Sequence, residues 1–446
     1  MISVLFFFSL SGQHTLGGFL ESFSTVHYFC RFCLYKRDQY RADQNQDPPA
    51  FRVAPLRTPD SYRAALQKRF QTKEKTYQGI KLDSIFNELR HFHVCDPGQP
   101  PCLGHDLFIG GVVDCDLAAM IKLMVEKGWF SYDLLNRRIR EFTCEGSDVP
   151  NKPPPTVPES GETLGGYAVH NWTLLRLLPF IIGDKVKVSD DVWKLYLLLK
   201  RICERVCAPA LTLAQIDLLE DLIKQYMKDR KFLPNPFKPK HHYFAHMAEL
   251  YRLFGPLIAL WTMGFEQCHQ YFVKVAATSR NFINLPKLLA SKHQVLQAYQ
   301  STGELFPSEV IHHSMEFPLV PESYENQLQD FLKTEGFSAG ATVLTSITAE
   351  EIMYKGDQWL FLEPGVDENC IYVGKILLIT HDNNEYKAIV EKHKTKFWKR
   401  YGLYKIKSRC TFSAVNLLGV LENPCPHPTY AFQDKLCLSL KHVLPQ

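Results

Sequence analysis

The stretch HHYFAH, residues 241–246, places three imidazoles within six residues, directly after the basic segment PNPFKPK. On a helix, side chains three to five residues apart lie within about one turn of each other, as metal-binding histidine pairs require. His246 could therefore pair with either His241 or His242. A histidine pair alone is also typical of a solvated or core-packed helix face, so a metal site needs further ligands elsewhere.

The further ligands that the sequence offers are Cys30 and Cys33 in the segment FCRFC. A Cys-x-x-Cys turn lets two thiolates reach one tetrahedral Zn²⁺, but structural zinc usually takes four protein ligands, so the pair is half of a site. A redox dithiol is the main alternative. The cysteine and histidine halves are about 200 residues apart, so only the fold could join them.

Composition narrows the class of protein. With 446 residues, 46% of them hydrophobic and 22% charged, the chain has the length for two to four domains and the balance of an ordinary globular protein. A net charge of +4 does not by itself require a nucleic-acid partner. The thirteen scattered cysteines favour a reducing, intracellular setting over a disulfide scaffold. No segment approaches the roughly 18 apolar residues of a membrane helix, so we expect no membrane association.

Helical and strand patterns occupy different parts of the chain. Apolar residues at helical spacing predict helices across residues 58–145, with Ser131 as an N-cap, and again after the proline-rich segment VPNKPPPTVPES. The segment TLAQ, residues 212–215, resembles a helix start. From about residue 339 onward, short β-rich runs separated by turns such as HDNNE predict a small β domain.

Three stretches carry a family resemblance: GQHTLGGFLESFSTVHYFCRFCL, PPCLGHDLFIGGVVDCDL, and the segment from KPKHHYFAH to KLLASKHQVLQAY. Together they resemble transposase-derived proteins of the CACTA–Mirage–Chapaev group and their relatives in the recombination-activating transposase lineage. The resemblance covers about residues 11–305. It implies a ribonuclease-H-like core with two Asp and one Glu, interrupted by a large helical insertion. In that group a Cys-x-x-Cys pair before the insertion and a His pair near its end bind one zinc.

The expected fold class is therefore α+β: a partial ribonuclease-H-like core with a large all-helical insertion, plus a small C-terminal β domain. The resemblance and the sequence patterns together predict five segments. These are a remnant of the catalytic core with the Cys-x-x-Cys half-site (1–45), the helical insertion (46–235), the His pair, family glutamate and closing helices of the core (236–305), a linker (306–338) and the β domain (339–446).

The resemblance also assigns a catalytic position to Glu266, which lies 20 residues after His246. A glutamate there would help to hold Mg²⁺ together with two aspartates. The second aspartate should precede GQHTLGGF, but residues 1–33 contain no Asp, and the first would lie upstream of residue 1. We therefore expect the chain as given not to cut DNA. Asp114 and Asp116 are the remaining candidates to replace the missing acids, whereas Asp106 is expected to orient helices.

Two basic regions are candidate nucleic-acid contacts. Residues 386–409 interleave lysines and arginines with Phe397, Trp398, Tyr401 and Tyr404, so bases could stack there and phosphates could be neutralised. The alternative is a β hairpin with aromatic residues in the core and solvated lysines. Lys274 and Arg280 lie near the position where an intact relative would hold DNA. The candidate contacts are Lys274, Arg280, Lys394, Lys396, Lys399 and Arg400.

We expect a truncated or domesticated transposase-like protein that is nuclear and not catalytic in its present form, binds structural Zn²⁺ and has DNA as its candidate partner. Mg²⁺ would bind only in an active enzyme. One alternative is an active DDE transposase whose aspartates come from an upstream segment. The other is a regulatory module that binds proteins and not DNA. No small-molecule substrate is expected, and the sequence does not indicate an oligomeric state.

Overall fold

The computed structural model describes residues 10–21, 27–44, 54–96, 98–279, 283–302, 312–349, 352–365, 369–418 and 426–443. The chain divides into two compact units: Met1–Thr143 with Asn151–Phe265 and Leu440–Gln446, and Cys144–Pro150 with Glu266–Ser439. The first unit is helical, and the second holds the β-sheets. The predicted mixed α+β class is therefore confirmed.

The helices of the first unit are built around one buried helix, α4. Its residues are apolar on almost every side, as expected for a helix surrounded by others. It packs against α6, α7 and α9. The helices are α1 (Leu10–Leu16), α2 (Arg37–Gln44), α3 (Pro59–Thr72), α4 (Val112–Glu126), α5 (Tyr132–Glu141), α6 (Ala168–Ile182), α7 (Asp191–Val206), α8 (Leu213–Asp229), α9 (Pro239–Ala245) and α10 (Met247–Phe254).

Two helix starts lie where the sequence places them. The Ser131 hydroxyl accepts a hydrogen bond from the Leu134 amide at 3.2 Å and caps α5. At α8, the Thr212 hydroxyl accepts from the Gln215 amide at 3.3 Å, while the Gln215 side chain accepts from the Thr212 amide at 2.9 Å. This reciprocal pair is a capping box, which satisfies two amides that the helix itself leaves unpaired.

The extended segments of the first unit pair only as isolated bridges among its described residues, as between Cys33 and Leu56 or Phe19 and Ile80. No β-sheet of a ribonuclease-H-like core is therefore found in that described part. None of the described helices is both long enough and apolar enough to cross a bilayer.

Among its described residues, the second unit contains two antiparallel sheets and three α-helices. The larger sheet has the strand order β10-β6-β7-β8-β9-β12-β11, with β3 paired to β7 and β2 to β3, and the smaller has the order β1-β4-β5. The elements are α11 (Met263–Ser279, which begins in the first unit), α12 (Leu285–Ser301), β1 (His312–His313), β2 (Glu316–Pro318), α13 (Asn326–Glu335), β3 (Thr342–Leu344), β4 (Ser346–Ala349), β5 (Ile352–Lys355), β6 (Trp359–Pro364), β7 (Ile371–Asp382), β8 (Glu385–Trp398), β9 (Leu403–Asn416), β10 (Pro426–His427), β11 (Thr429–Phe432) and β12 (Lys435–Leu438).

The central hairpin of the larger sheet turns at the predicted HDNNE segment. Asn383 and Asn384 both have positive φ, 49° and 63°, as a two-residue type I′ turn requires. One face of this hairpin packs against α13, where Leu328 and Leu332 meet Ile389. Because α13 and the strands β1 and β2 lie within residues 306–338, the segment predicted as a linker contains regular secondary structure.

Candidate metal centre

Four of the predicted ligands come together in the first unit. Cys30 and Cys33 lie in the loop before α2, His242 lies in α9, and His246 lies between α9 and α10. All four side chains are buried, and their ligand atoms lie within 4.8 Å of one another. The group could therefore hold a metal ion such as zinc.

The distances within the group match those around a tetrahedral ion. Cys33 Sγ lies 3.2 Å from His242 Nε2, Cys30 Sγ lies 3.7 Å from His246 Nε2, and the two Nε2 atoms are 3.2 Å apart. Tetrahedral Zn²⁺ with usual bond lengths separates its sulfur and nitrogen ligands by roughly 3.3–3.8 Å. Without a cation, imidazole nitrogens and thiol sulfurs would face one another in a space shielded from water.

The cysteine loop is fixed by backbone hydrogen bonds. The Phe32 amide donates to Cys30 Sγ at 3.3 Å, an arrangement that stabilises a thiolate. A facing segment pairs with the loop, since the Leu34 amide donates to the Pro55 carbonyl and the Arg57 amide to the Phe32 carbonyl, both at 2.9 Å. The buried Arg57 guanidinium also donates to the Cys30 carbonyl at 3.0 Å. Arg57 could not be identified from the sequence, because no local pattern indicates its contact with Cys30, 27 residues away.

Aromatic rings line the group. Tyr35 stacks on His242, with centroids 5.1 Å apart and planes 6° apart. Phe29 meets the same imidazole at its edge at 5.2 Å, and Phe32 lies 5.5 Å from the ring of His246. These rings restrict imidazole rotation and keep water away, which strengthens every electrostatic interaction inside the group.

Only one of the two thiols ionises readily without a metal. Burial opposes ionisation of Cys30, but hydrogen bonds from Cys33 and from the two imidazoles, with the charge on His242, hold the pKa of Cys30 well below its usual value. The pKa of Cys33 is raised, because its proton is held in the hydrogen bond to Cys30, because it is buried, and because the Cys30 thiolate repels a second negative charge. A bound cation would lower the pKa of both thiols.

His246 shows that the group attracts positive charge. Burial alone would lower its pKa, but the hydrogen bond to Cys30, the negative charge there and the Glu249 carboxylate together raise the pKa of His246 to about 9. Glu249 Oε2 lies 3.1 Å from His246 Nδ1, so it fixes the imidazole with Nε2 turned toward the cysteines. Glu249 was not predicted, although its position three residues after His246 places it on the same helical face.

His241, the other predicted partner of His246, lies outside this group, so that alternative is wrong. The Lys238 amide donates to His241 Nδ1 at 2.9 Å, which leaves the proton on Nε2. Nε2 in turn lies 3.1 Å from the Asp116 carboxylate. Burial lowers the pKa of His241, in agreement with a neutral ring. Consecutive helical side chains project about 100° apart, so His241 and His242 reach different neighbours.

Asp116 is the centre of a buried ionic network. Its carboxylate accepts from Nε and Nη2 of Arg230 at 2.8 Å each, and from Tyr226 and Asn235 at 2.7 Å each. Burial opposes its ionisation, but electrostatic attraction and hydrogen bonds from His241 and from the charged Arg230 outweigh it and hold the pKa of Asp116 far below its usual range. The suggestion that Asp116 replaces a catalytic aspartate is therefore wrong, because its oxygens already have partners.

The neighbouring acids are also engaged. The Asp114 carboxylate accepts from the Gly110 amide at 2.7 Å and from the Leu164 amide at 2.6 Å. It therefore holds the backbone at those two residues in place and is not a substitute catalytic acid either. Asp106 accepts from the Cys102 amide at 3.2 Å and lies 3.8 Å from the Arg31 guanidinium, and its role in orienting helices stays a prediction.

The group of four ligands includes none of the other predicted residues that the structure describes. Glu266 belongs to α11, but its side chain lies outside the described residues, as does the whole of Arg280. Lys274 is exposed on α11. In the second unit, the four basic residues predicted to contact nucleic acid are exposed on the β8–β9 hairpin and its connecting loop: Lys394, Lys396, Lys399 and Arg400.

The motif GQHTLGGF contacts the histidine-bearing helix. His14 Nε2 lies 3.2 Å from the Tyr243 hydroxyl, which donates to the Phe29 carbonyl at 2.8 Å. Burial and the charge of Arg31 lower the pKa of His14 to about 3, so its ring is neutral. Two of the stretches that carried the resemblance, the one containing GQHTLGGF and FCRFC and the one containing HHYFAH, therefore meet at the metal centre.

Comparison with known proteins identifies no relative. No family model matches the chain, and no curated protein matches it at a significant level.

Replacing Asp116 with alanine should lower the free energy of unfolding by about 3–5 kcal/mol, because the buried Arg230 guanidinium would lose its counter-charge and His241 would lose its hydrogen-bond acceptor. Chemical denaturation at neutral pH measures the change. The exposed Asp133→Ala should stay within about 0.5 kcal/mol of the parent. Equal stability of the two variants would contradict the claim that the buried ionic network around Asp116 stabilises the fold.

The contribution of Asp116 to the free energy of unfolding should depend on pH. The folded-state pKa of Asp116 is depressed, so its contribution is fully present above the unfolded-state pKa of about 3.9 and declines as the pH falls below it. The stability difference between the parent and Asp116→Ala should therefore be constant from neutral pH down to about pH 5 and become smaller in more acidic solution. A difference that grows on acidification would contradict this assignment.

Proposed function

We propose that this chain is a zinc-binding, non-catalytic protein of transposase descent, in which one Zn²⁺ joins Cys30 and Cys33 to His242 and His246. The observation that carries the proposal is the burial of two sulfurs and two imidazole nitrogens within 4.8 Å of one another. Two thiolates with two imidazoles are a ligand set that favours zinc in tetrahedral geometry. Since protein atoms supply all four ligands, the ion has no open position for water and serves a structural role.

The ion would connect distant parts of the first unit. The contacts from Cys33 to His242 and from Cys30 to His246 span 209 and 216 residues. Zinc would hold the loop before α2 against α9, and it would stabilise both thiolates where burial disfavours the second. A redox dithiol is the weaker interpretation, because Cys30 and Cys33 are 1% and 0% exposed and a partner thiol could not approach them.

Transposase descent rests on the sequence resemblance, and with it the ribonuclease-H-like core interrupted by a helical insertion. What supports this part of the proposal is that the resembling stretches are distant in sequence yet contact one another, as at His14 and Tyr243. Descent from DNA transposases makes DNA the expected partner and the nucleus the expected location. A binding role is favoured over catalysis, because Asp114 and Asp116 are occupied by other contacts.

Purified protein should contain one zinc per chain, measured by elemental analysis. Cys30→Ser combined with His246→Ala should lose it, because two ligands cannot hold the ion. Cobalt substitution should give the visible absorption of a tetrahedral thiolate site in the parent only. A matched control is Cys207→Ser with His91→Ala, which removes a buried cysteine and an exposed histidine outside the group.

Zinc retained in the ligand double variant, or lost equally in the control, would overturn the assignment. Chelation of the parent should also lower its melting temperature, whereas the same chelator should leave the ligand double variant unchanged. This second measurement remains informative if the double variant is too unstable for a reliable metal count.

The chain should show no Mg²⁺-dependent DNA cleavage, since two-metal chemistry needs several free carboxylates around the ions. Supercoiled plasmid incubated with protein and Mg²⁺ provides the assay, with Glu266→Gln as the comparison. Parent and variant should be equally inactive. Cleavage by the parent that disappears in Glu266→Gln would establish an active DDE enzyme and overturn the non-catalytic proposal.

A further inference from the structure

The β7, β8 and β9 strands share a face that carries both basic and aromatic side chains. We call Tyr372, Lys392, Lys394, Lys396, Trp398 and Lys405 the basic-aromatic face. Strand register places them together, because Lys394 pairs with Tyr372 and Lys396 pairs with Lys405. Alternate residues of a strand share one face, and the intervening Thr395 is buried on the other.

Two ring contacts confirm that these residues are neighbours. The Lys392 ammonium lies 4.7 Å from the centroid of the Tyr372 ring, and the Lys405 ammonium lies 4.4 Å from a ring centroid of Trp398. Each aromatic ring of the face is therefore paired with a cation, and both rings are half-buried.

The charge arrangement opposes folding of the hairpin. Lys396 and Lys405 stand directly opposite each other, and like charges in that position destabilise a sheet. Lys392 of this face donates to the Glu363 carboxylate at 2.6 Å. Among the described residues, however, no carboxylate lies within ion-pair distance of Lys394, Lys396 or Lys405. Residues 392–409 contain eight Lys or Arg and no acidic residue. An anionic ligand would remove this repulsion.

The ring of Trp398 is held in place by an aromatic cluster, as a stacking surface requires. Its ring meets Tyr401 edge-on at 4.8 Å and Phe432 at 5.7 Å, and Tyr401 and Phe432 are themselves 4.9 Å apart. Phe432 is 6% exposed, so this cluster is anchored in the sheet. A ring held in this way loses little conformational freedom when a flat ligand stacks on it.

Spacing favours an extended ligand over a compact one. Tyr372 lies beside Lys394, four residues along β8 from Trp398, which corresponds to about 13 Å. Lysines lie between the two rings. A polyanion with a flat group at each repeat would place its charges on the lysines and its rings on Tyr372 and Trp398. Unpaired nucleotides have this chemistry, whereas the bases of a duplex are already stacked.

We infer that the basic-aromatic face binds single-stranded nucleic acid, DNA or RNA, with lysines contacting phosphates and Trp398 stacking on a base. The inference rests on the binding role proposed above and not on zinc, because the face lies in the second unit. Anionic membranes lack the stacking groups that Trp398 and Tyr372 are placed to meet, and an acidic peptide does not carry a flat group at every charged repeat.

The test uses the full chain and fluorescence anisotropy with labelled oligothymidylate and oligouridylate of about 15 nucleotides. Trp398→Ala should weaken binding about tenfold, and Trp398→Tyr should restore most of it. Replacing Lys394, Lys396 and Lys405 together with alanine should weaken binding and reduce the slope of log affinity against log salt by about 2.

The matched control replaces Lys287, Lys292 and Lys333 with alanine, which removes the same charge from exposed positions of α12 and α13. It should bind like the parent. An equal loss in both triple variants would overturn the inference, because net charge alone would then explain binding. The inference would also be overturned if the protein bound a duplex equally well or more tightly, if it bound only anionic vesicles, or if it bound neither oligonucleotide.

Zinc content and melting temperature are measured on the same preparations. Variants of the face should keep the parent's zinc, so a binding defect is separable from loss of the metal centre. If the parent contains zinc but binds no single strand, the face is not a nucleic-acid surface and the zinc assignment stands. If the parent binds a single strand but contains no zinc, the face is a nucleic-acid surface and the zinc assignment fails.

Discussion

The first unit depends on bringing two thiols and two imidazoles together where water is excluded. The segments that supply them are separated by more than 200 residues, since Cys30 and His246 are 216 apart. The entropy cost of closing so long a loop grows only slowly with its length, so distance alone is no obstacle. The intervening helices must nevertheless be folded for the halves to meet. A metal ion that binds only the assembled group would therefore stabilise the whole unit.

Helix α9 is the element through which this constraint acts, because it is held on two sides. His241 contacts the Asp116 carboxylate of α4, while His242 contacts Cys33. The two adjacent histidines thus have different neighbours: His241 anchors the helix to the core, and His242 belongs to the candidate metal centre. Tyr243 adds a third contact, to the Phe29 carbonyl beside the cysteines. The position of His242 is consequently set by the buried ionic network as well as by the cysteines.

Much of this arrangement could be predicted from local sequence. The capping residues Ser131 and Thr212, the Asn383–Asn384 turn and the Cys-x-x-Cys pair all act through neighbours a few residues away. The role of Asp116 could not be predicted, because its partner Arg230 is 114 residues distant and a buried acid has no local signature. Strands as short as Glu316–Pro318 were missed for a similar reason, since only pairing with Thr342–Leu344 defines them.

The two units differ in whether their charged side chains have partners within the chain. In the first unit, Asp114 and Asp116 are saturated with hydrogen bonds, so neither can take an ion into a catalytic cage. A metal surrounded by four protein ligands likewise has no position left for a reacting water. Lys394, Lys396 and Lys405 of the second unit, by contrast, have no acidic partner in the described part of the chain. Repulsion between opposed lysines raises the free energy of the sheet without improving its packing, and an anionic ligand would reduce it. Binding is therefore the role that we propose for this face.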